Sequence, residues 1–393
     1  MINADLFASF FLAGNASGHS FDRATLNLLR LKHIYFTVTN DLTYDQRMHR
    51  ICTSLAENSY AITLVGFKLP GSLPLNKEKF NQKRIRCIFK RGKIFYAEYN
   101  MRLFFFLLFR KMDAVCAIDL DTILPCYYIS KWKKIPRVYD AHELFTGLKE
   151  VETRPRIKKF WTGIEKKIVP KFSFGYTVSE SIADEFNRRY GIRYIVIRNM
   201  SRLQEFNASM SSEKFLLYQG AVNEARGFEY LVPAMKSIHS TLVICGDGNF
   251  MGQLRQLIKD NAVEDKIHLK GMMTPDQLWT ISQKAAIGMG IAENTGINQY
   301  LALPNKFFDY IHAGLPQIAM KFPEYIRINA EFEVAVLISE LDPKVIADTV
   351  NNLLHDDVLY QRLRENCIKA RQVLNWQQEE KKLLNFYQSV FNQ

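Results

Sequence analysis

Residues 301–316 read LALPNKFFDYIHAGLP. Pro304 lacks a backbone N–H and has a fixed φ, so it suits the first turn of a helix, where amides have no partner within the helix. Gly314 permits the left-handed turn that closes such a helix, and Pro316 keeps it from resuming. The unpaired amides around Asn305, with the positive end of the helix dipole, make an anion site. Lys306 and Asp309 are three residues apart and are expected to share a face. The cation suits phosphate oxygens and the carboxylate suits vicinal hydroxyls, which together are what a nucleotide presents. The alternative reading of the same residues is an ordinary surface helix carrying a Lys–Asp pair.

The chain before this helix alternates apolar runs with amphipathic ones. KFLLYQG, TLVICGDG, KIHLKG and AIGMGIA read as strands, and EYLVPAMKSI, FMGQLRQLIKD and PDQLWTISQKA as helices between them. The first half carries a similar series: HIYFTVTN, AITLVGF, DAVCAID, RVYDA and VIR as strands, with LTYDQRMHRICTSLAENSY as the first helix. Strands joined through helices make parallel sheets with right-handed crossovers. The expected fold is therefore α/β, two Rossmann-like doubly wound parallel-sheet domains facing a cleft, with ligands beyond the carboxyl ends of the strands. Residues 1–32 are read as an N-terminal extension, 33–200 as the first domain, 201–375 as the second, and 376–393 as a C-terminal amphipathic helix able to pack on either. The N-terminal LFASFFLAG has the length of a signal-peptide core, but Asp5 precedes it where a cation is expected and NASGHS is a poor cleavage site. A non-structural extension or misassigned start is preferred.

A chain of 393 residues is long enough for two domains, and 48% apolar with 23% charged residues is a globular composition. The net charge of +12 is uneven: residues 1–200 hold 33 Lys/Arg against 18 Asp/Glu, and the remainder 19 against 22. A basic first half is expected to meet something anionic. Six scattered cysteines without a CxxC pair argue against a disulfide framework or a zinc site. No apolar run is long enough to span a bilayer.

Three strand-end features in the second half could converge on one ligand. Gly220 allows close backbone approach, Arg226 in AVNEARG places a permanent cation near the next helix, and GDG makes a tight turn. The runs LYQGAVNEARGFEYLVPAM, LVICGDG and LPNKFFDYIHAGLP resemble the donor-binding domain of family 4 glycosyltransferases, retaining enzymes of the GT-B architecture. In the first half, TVTNDLTYDQRM, AIDLDTILP, VYDAHELF and YTVSESIADEF resemble the acceptor domain of bacterial members, so the resemblance covers about residues 33–390. It implies that Arg226 and Lys306 contact a donor diphosphate, that Asp309 holds ribose hydroxyls, that His142 lies against the donor sugar and leaving phosphate, and that no metal or other cofactor is required. Many members pair two glutamates eight residues apart; here the earlier position is Leu301 and the later one Asp309. Ala221 stands where an arginine often follows the first glycine, and the first βα loop, NDLTYDQR, has no glycine pair. These departures leave the sugar contacts open.

His142 can also be read as a structural histidine bonded to nearby backbone. Asp119 and Asp121 form a DxD tripeptide, read as acceptor-side cleft residues in preference to a metal site. Lys77–Lys93, KEKFNQKRIRCIFKRGK, carries eight cations and one anion with interleaved apolar residues. It and the following RLFFFLLFRK are read either as contact with an anionic membrane surface or as a solvated face followed by a core element. No nucleic-acid module is present. The expected activity is transfer of a sugar from a nucleotide-sugar donor to a lipid-linked or polysaccharide-precursor acceptor, in the cytoplasm or peripherally on the inner membrane face. A nucleotide-sugar epimerase of the same architecture and a catalytically silent nucleotide-binding protein are the rivals.

Overall fold

The computed structural model describes residues 31–43, 45–206 and 215–392; the expected extension therefore lies almost wholly outside the described residues. Buried apolar runs form two wholly parallel sheets. The first contains β1 (Lys32–Thr37), β2 (Tyr60–Phe67), β3 (Asn81–Ile85), β4 (Ala114–Ile118), β5 (Arg137–Ala141), β6 (Phe174–Thr177) and β7 (Ile195–Val196), in the order β3-β2-β1-β4-β5-β6-β7. The second contains β8 (Phe215–Gln219), β9 (Thr241–Cys245), β10 (Ile267–Gly271), β11 (Ile287–Gly290), β12 (Gln317–Met320) and β13 (Ala335–Ile338), in the order β10-β9-β8-β11-β12-β13. In each sheet the order reverses once, between β1 and β4 and between β8 and β11, and such switch points open crevices at the strand ends.

The first-lobe sheet is covered on one face by helices Gly92–Leu108, Ile123–Lys133 and Pro155–Ile168. Its other face is covered by Gln46–Glu57 and by the C-terminal helix Trp376–Phe391, which crosses back from the second lobe. Trp376 is fully buried there and donates its indole N–H to Ser54 Oγ at 3.0 Å. The amphipathic stripe seen in the sequence thus belongs to the first lobe. All six cysteines are buried and unpaired.

The two lobes touch along one side. Ile297 and Leu301, on the short helix Ile297–Leu301 after β11, pack into the first-lobe core. Gly147 leaves them room, since a Cβ there would lie 2.4 Å from Ile297 Cγ2. The Ser179 hydroxyl donates to the Leu301 carbonyl at 3.1 Å. The fully buried Glu324 carboxylate accepts from the Ser181 amide at 2.7 Å and hydroxyl at 2.8 Å, at the start of helix Glu180–Tyr190. A carboxylate on helix N-terminal donors is favourably placed.

Candidate active site

The helix announced by Pro304 runs from Asn305 to His312, with Gly314 at φ +62° closing it. Its start is at the carboxyl end of β8. Asn305 is exposed there, while Lys306 is only 9% exposed. The Lys306 ammonium sits 3.8 Å from the centre of the Tyr218 ring and has no hydrogen-bond partner. Burial, with the positive charge of nearby Arg226, pushes its pKa well below the ordinary lysine value. Two cations, one of them with only a ring face beneath it, make a site suited to an anion.

The floor of this site is the loop after β8. Gly220 adopts φ +118°, with open space where a side chain would be. The GDG turn after β9 lies against it: a Cβ on Gly246 would fall 1.9 Å from the Gly220 carbonyl oxygen. Only bare backbone fits at that approach. Tyr218 is held by its hydroxyl, which donates to the Ala221 carbonyl at 2.9 Å.

Asp309 does not share the Lys306 environment, contrary to the expectation that the two lie on one face. Lys306 packs on Tyr218 and Asp309 bonds Gln219, successive residues of β8 whose side chains point to opposite faces of the sheet. The helix straddles the strand end. Asp309 accepts from the Ser201 hydroxyl at 2.9 Å and the Gln219 amide at 3.1 Å, and Gln219 accepts from Ser282 at 2.9 Å. Burial raises its pKa against these bonds and the Arg50 charge. A cavity of about 140 Å³ opens beside it, lined among others by Gln219, Leu278, Trp279 and Ser282.

Across the lobe boundary, His142 stands just past β5 with its side chain 16% exposed. Its Nε2 is 3.0 Å from Asp140 Oδ2 and its Nδ1 4.0 Å from Asp119 Oδ2. Both ring nitrogens therefore face carboxylates of their own lobe. Burial opposes charge on the ring, but Asp140 and Asp119 outweigh it and the pKa is raised. Asp140, fully buried, accepts from Arg47 on its other oxygen at 3.0 Å, and its pKa is lowered because Arg47 and His142 overcome burial. Asp119 has φ +54°, a left-handed conformation uncommon outside glycine, and accepts from the His142 amide at 2.9 Å. Burial drives its pKa well up despite His142. Asp121 is buried, accepts from the Thr39 hydroxyl, and is pushed up to about 6, chiefly by burial. Together these groups can hold a proton near neutral pH.

Sequence reasoning missed Arg47, Asp140 and Asn298. Asp140 was legible as the residue two before His142 in YDAHE, whereas Arg47 reaches it from 93 positions away. Asn298 joins the lobes beside the histidine: it accepts from the Leu144 amide at 2.8 Å and donates to Glu143 at 3.2 Å. Among the described residues, no group of three or more His, Cys, Asp or Glu side chains is arranged to hold a metal ion. No helix among them is long and apolar enough to cross a membrane.

Residues 200–371 match the family model described as glycosyl transferases group 1. No curated protein sequence matches the chain. Similar solved structures include a sucrose-phosphate synthase from Thermosynechococcus elongatus, at 15% identity and TM-score 0.76, covering 92% of this chain and 99% of that one. A glycosyltransferase from Rickettsia africae ESF-5 aligns at 13% identity and TM-score 0.70, covering 92% and 99%. Anabaena HepE in complex with UDP-glucose aligns at 11% identity and TM-score 0.70, covering 91% and 99%. The chain thus has the GT-B fold of two Rossmann-like lobes, and its second lobe carries the match to the group 1 glycosyl transferases.

Proposed function

We propose that this chain is a retaining, family 4-type glycosyltransferase that moves a sugar from a nucleotide donor to a lipid-linked or polysaccharide-precursor acceptor, without a metal ion, at the cytoplasmic face of a membrane. The single observation that carries the reading is the buried, unpartnered Lys306 ammonium beside Arg226 at the end of β8. Diphosphate oxygens supply the counter-charge it lacks, and the bare backbone at Gly220 lets them approach. As the glycosidic bond to the diphosphate breaks, negative charge grows on the leaving oxygen, where Lys306, Arg226 and the amides around Asn305 are aimed. Asp309 receives the ribose hydroxyls from the far side of β8, with the nucleoside directed toward the Trp279 cavity. His142, whose pKa Asp140 and Asp119 raise, lies against the donor sugar and its leaving phosphate and stabilises the charge that develops there. The leaving phosphate takes the acceptor proton in a front-face return, so no separate protein base is invoked. That HepE is seen with UDP-glucose on the same fold supports a sugar nucleotide as donor.

The silent nucleotide-binding alternative draws on Leu301. Where family 4 members often carry an acid, this residue packs into the first-lobe core. Melting curves with UDP, GDP, ADP and CMP test the donor site: a ligand at 100 times its Kd raises stability by about 2.7 kcal/mol. Lys306→Met is expected to weaken the responding nucleotide at least tenfold, about 1.4 kcal/mol, while raising the melting temperature of the ligand-free protein by removing a desolvated charge. If none of the four shifts the curve, the donor site is refuted. Incubation with the matching sugar nucleotide then separates the readings: slow hydrolysis supports transfer, an epimeric product supports the isomerase, and neither supports silence.

A further inference from the structure

The three helices on the outer face of the first lobe leave large apolar side chains in water. Met101, Phe105 and Phe109 stand four residues apart along and just beyond Gly92–Leu108, at 55%, 54% and 80% exposure. Tyr128 and Trp132, also four apart on Ile123–Lys133, are 54% and 66% exposed, and Phe160 on Pro155–Ile168 is 61% exposed. In contrast, Leu103 and Leu107 of the first helix are fully buried. The helix therefore buries one apolar face in the core and presents a second to solvent. The helices lie side by side, and Lys133 Nζ reaches the Leu108 carbonyl at 2.9 Å, which brings the helix ends bearing Phe109 and Trp132 together.

Charge on this face is of one sign. The three helices hold only two carboxylates, and both are buried: Glu98 is 8% exposed and accepts from the Ile88 and Phe89 amides, and Glu165 is 1% exposed. Around the aromatic side chains the exposed charges are cations, among them Arg110, Lys111, Lys131, Lys134, Lys159 and Lys166. Phe105 also forms one wall of a groove of about 1040 Å³ between β3 and the first helix. Five cations line that groove; Arg84 and Arg102 are paired with Asp41 and Glu98, each at 2.7 Å, which leaves Lys68, Lys83 and Arg86 facing it.

We propose that this three-helix face is a membrane-docking surface that seats its aromatic side chains in the headgroup layer of an anionic bilayer, with phosphate headgroups meeting Lys68, Lys83 and Arg86 in the adjoining groove. Aromatic rings with a polar rim of cations match that interface chemically. A second copy of the same face is a poor occupant, because pairing it would set cation against cation. The surface differs from the one expected at Lys77–Lys93. There Phe80 and Ile85 are buried at 7% and 8%, and Arg84 is paired with Asp41 at 2.7 Å, so only part of that run contributes. The inference stands apart from the donor-site reading, since vesicle binding needs no nucleotide.

Sedimentation of the full chain with vesicles tests it. The protein is expected to bind vesicles of phosphatidylglycerol mixed into phosphatidylcholine, to bind pure phosphatidylcholine at least tenfold more weakly, and to be released by high salt. Phe109→Ser with Trp132→Ser, and separately Lys131→Glu with Lys134→Glu, are each expected to weaken binding at least tenfold with an unchanged melting temperature. All four side chains are exposed, so the variants are expected to fold, and circular dichroism verifies it. No binding to anionic vesicles, equal binding to both vesicle types, or full binding by both double variants overturns the proposal. Retention on single-stranded RNA in preference to vesicles overturns it also, in favour of a nucleic-acid face.

Discussion

Asp140 holds two partners that oppose each other, a buried arginine and the cleft histidine. Removing its carboxylate leaves Arg47 at 4% exposure with its charge uncompensated. Asp140→Ala is therefore expected to cost about 3–5 kcal/mol in denaturant unfolding. The pH dependence follows from the same cluster. The His142 pKa is raised on folding, so its stabilising contribution is complete below the unfolded value near 6.5 and is lost as pH rises through the folded one. Asp121 acts in the same direction. Its carboxyl is pushed up to about 6, so folding favours its proton, and that contribution fades as pH passes that value. Burial lowers the pKa of Lys306 and of His312, whose contributions run the other way, so the cluster is read as a difference: the stability of wild type relative to His142→Gln is expected to fall between about pH 5 and pH 8. A difference between the two proteins that grows over this window would contradict the assigned environment of His142. The histidine and the aspartates were legible because they sit at the ends of apolar runs. Their pairing was not, because strand-end side chains meet partners from other loops at distances in sequence that no local spacing encodes.

At the level of elements, the long buried strands and the Pro304–Gly314 helix were readable because apolar periodicity and turn residues are local signals. Others were not. β3 is a polar edge strand inside a basic run, and β12 and β13 are four residues each, too short for a period to declare itself. Straddling was also hidden: three residues on a helix span about 300°, so Lys306 and Asp309 sit close enough to seem cofacial yet diverge around the end of β8. The short helix after β11 gives a direct test of the lobe contact. A methyl group on Gly147 meets Ile297 Cγ2 at 2.4 Å and the Asn298 amide nitrogen at 3.1 Å. Gly147→Ala is expected to wedge the lobes apart. Small-angle scattering should report a larger radius of gyration with unchanged far-UV circular dichroism, and an unchanged radius would show that the loop yields locally.

For the whole molecule, the two-lobed plan was visible as a repeated β-α pattern, but the destination of the last helix was not, since an amphipathic stripe shows what must be buried and not against what. Its anchor is Trp376, fully buried against the first lobe and bonded to Ser54. Trp376→Ala is expected to cost about 3–5 kcal/mol, read from the shift in denaturant midpoint at constant slope. A cost below about 1 kcal/mol would mean that the first lobe holds together without the strap. The returning helix also sets an order of events during synthesis. The nascent first lobe emerges from the ribosome with the sheet face carrying Phe36 and Tyr176 still uncovered by Phe386 and Tyr387, which are translated only after the whole second lobe. The second lobe can close its own sheet in the interim, so a stop codon between that lobe and Trp376 would leave the first lobe without its cover.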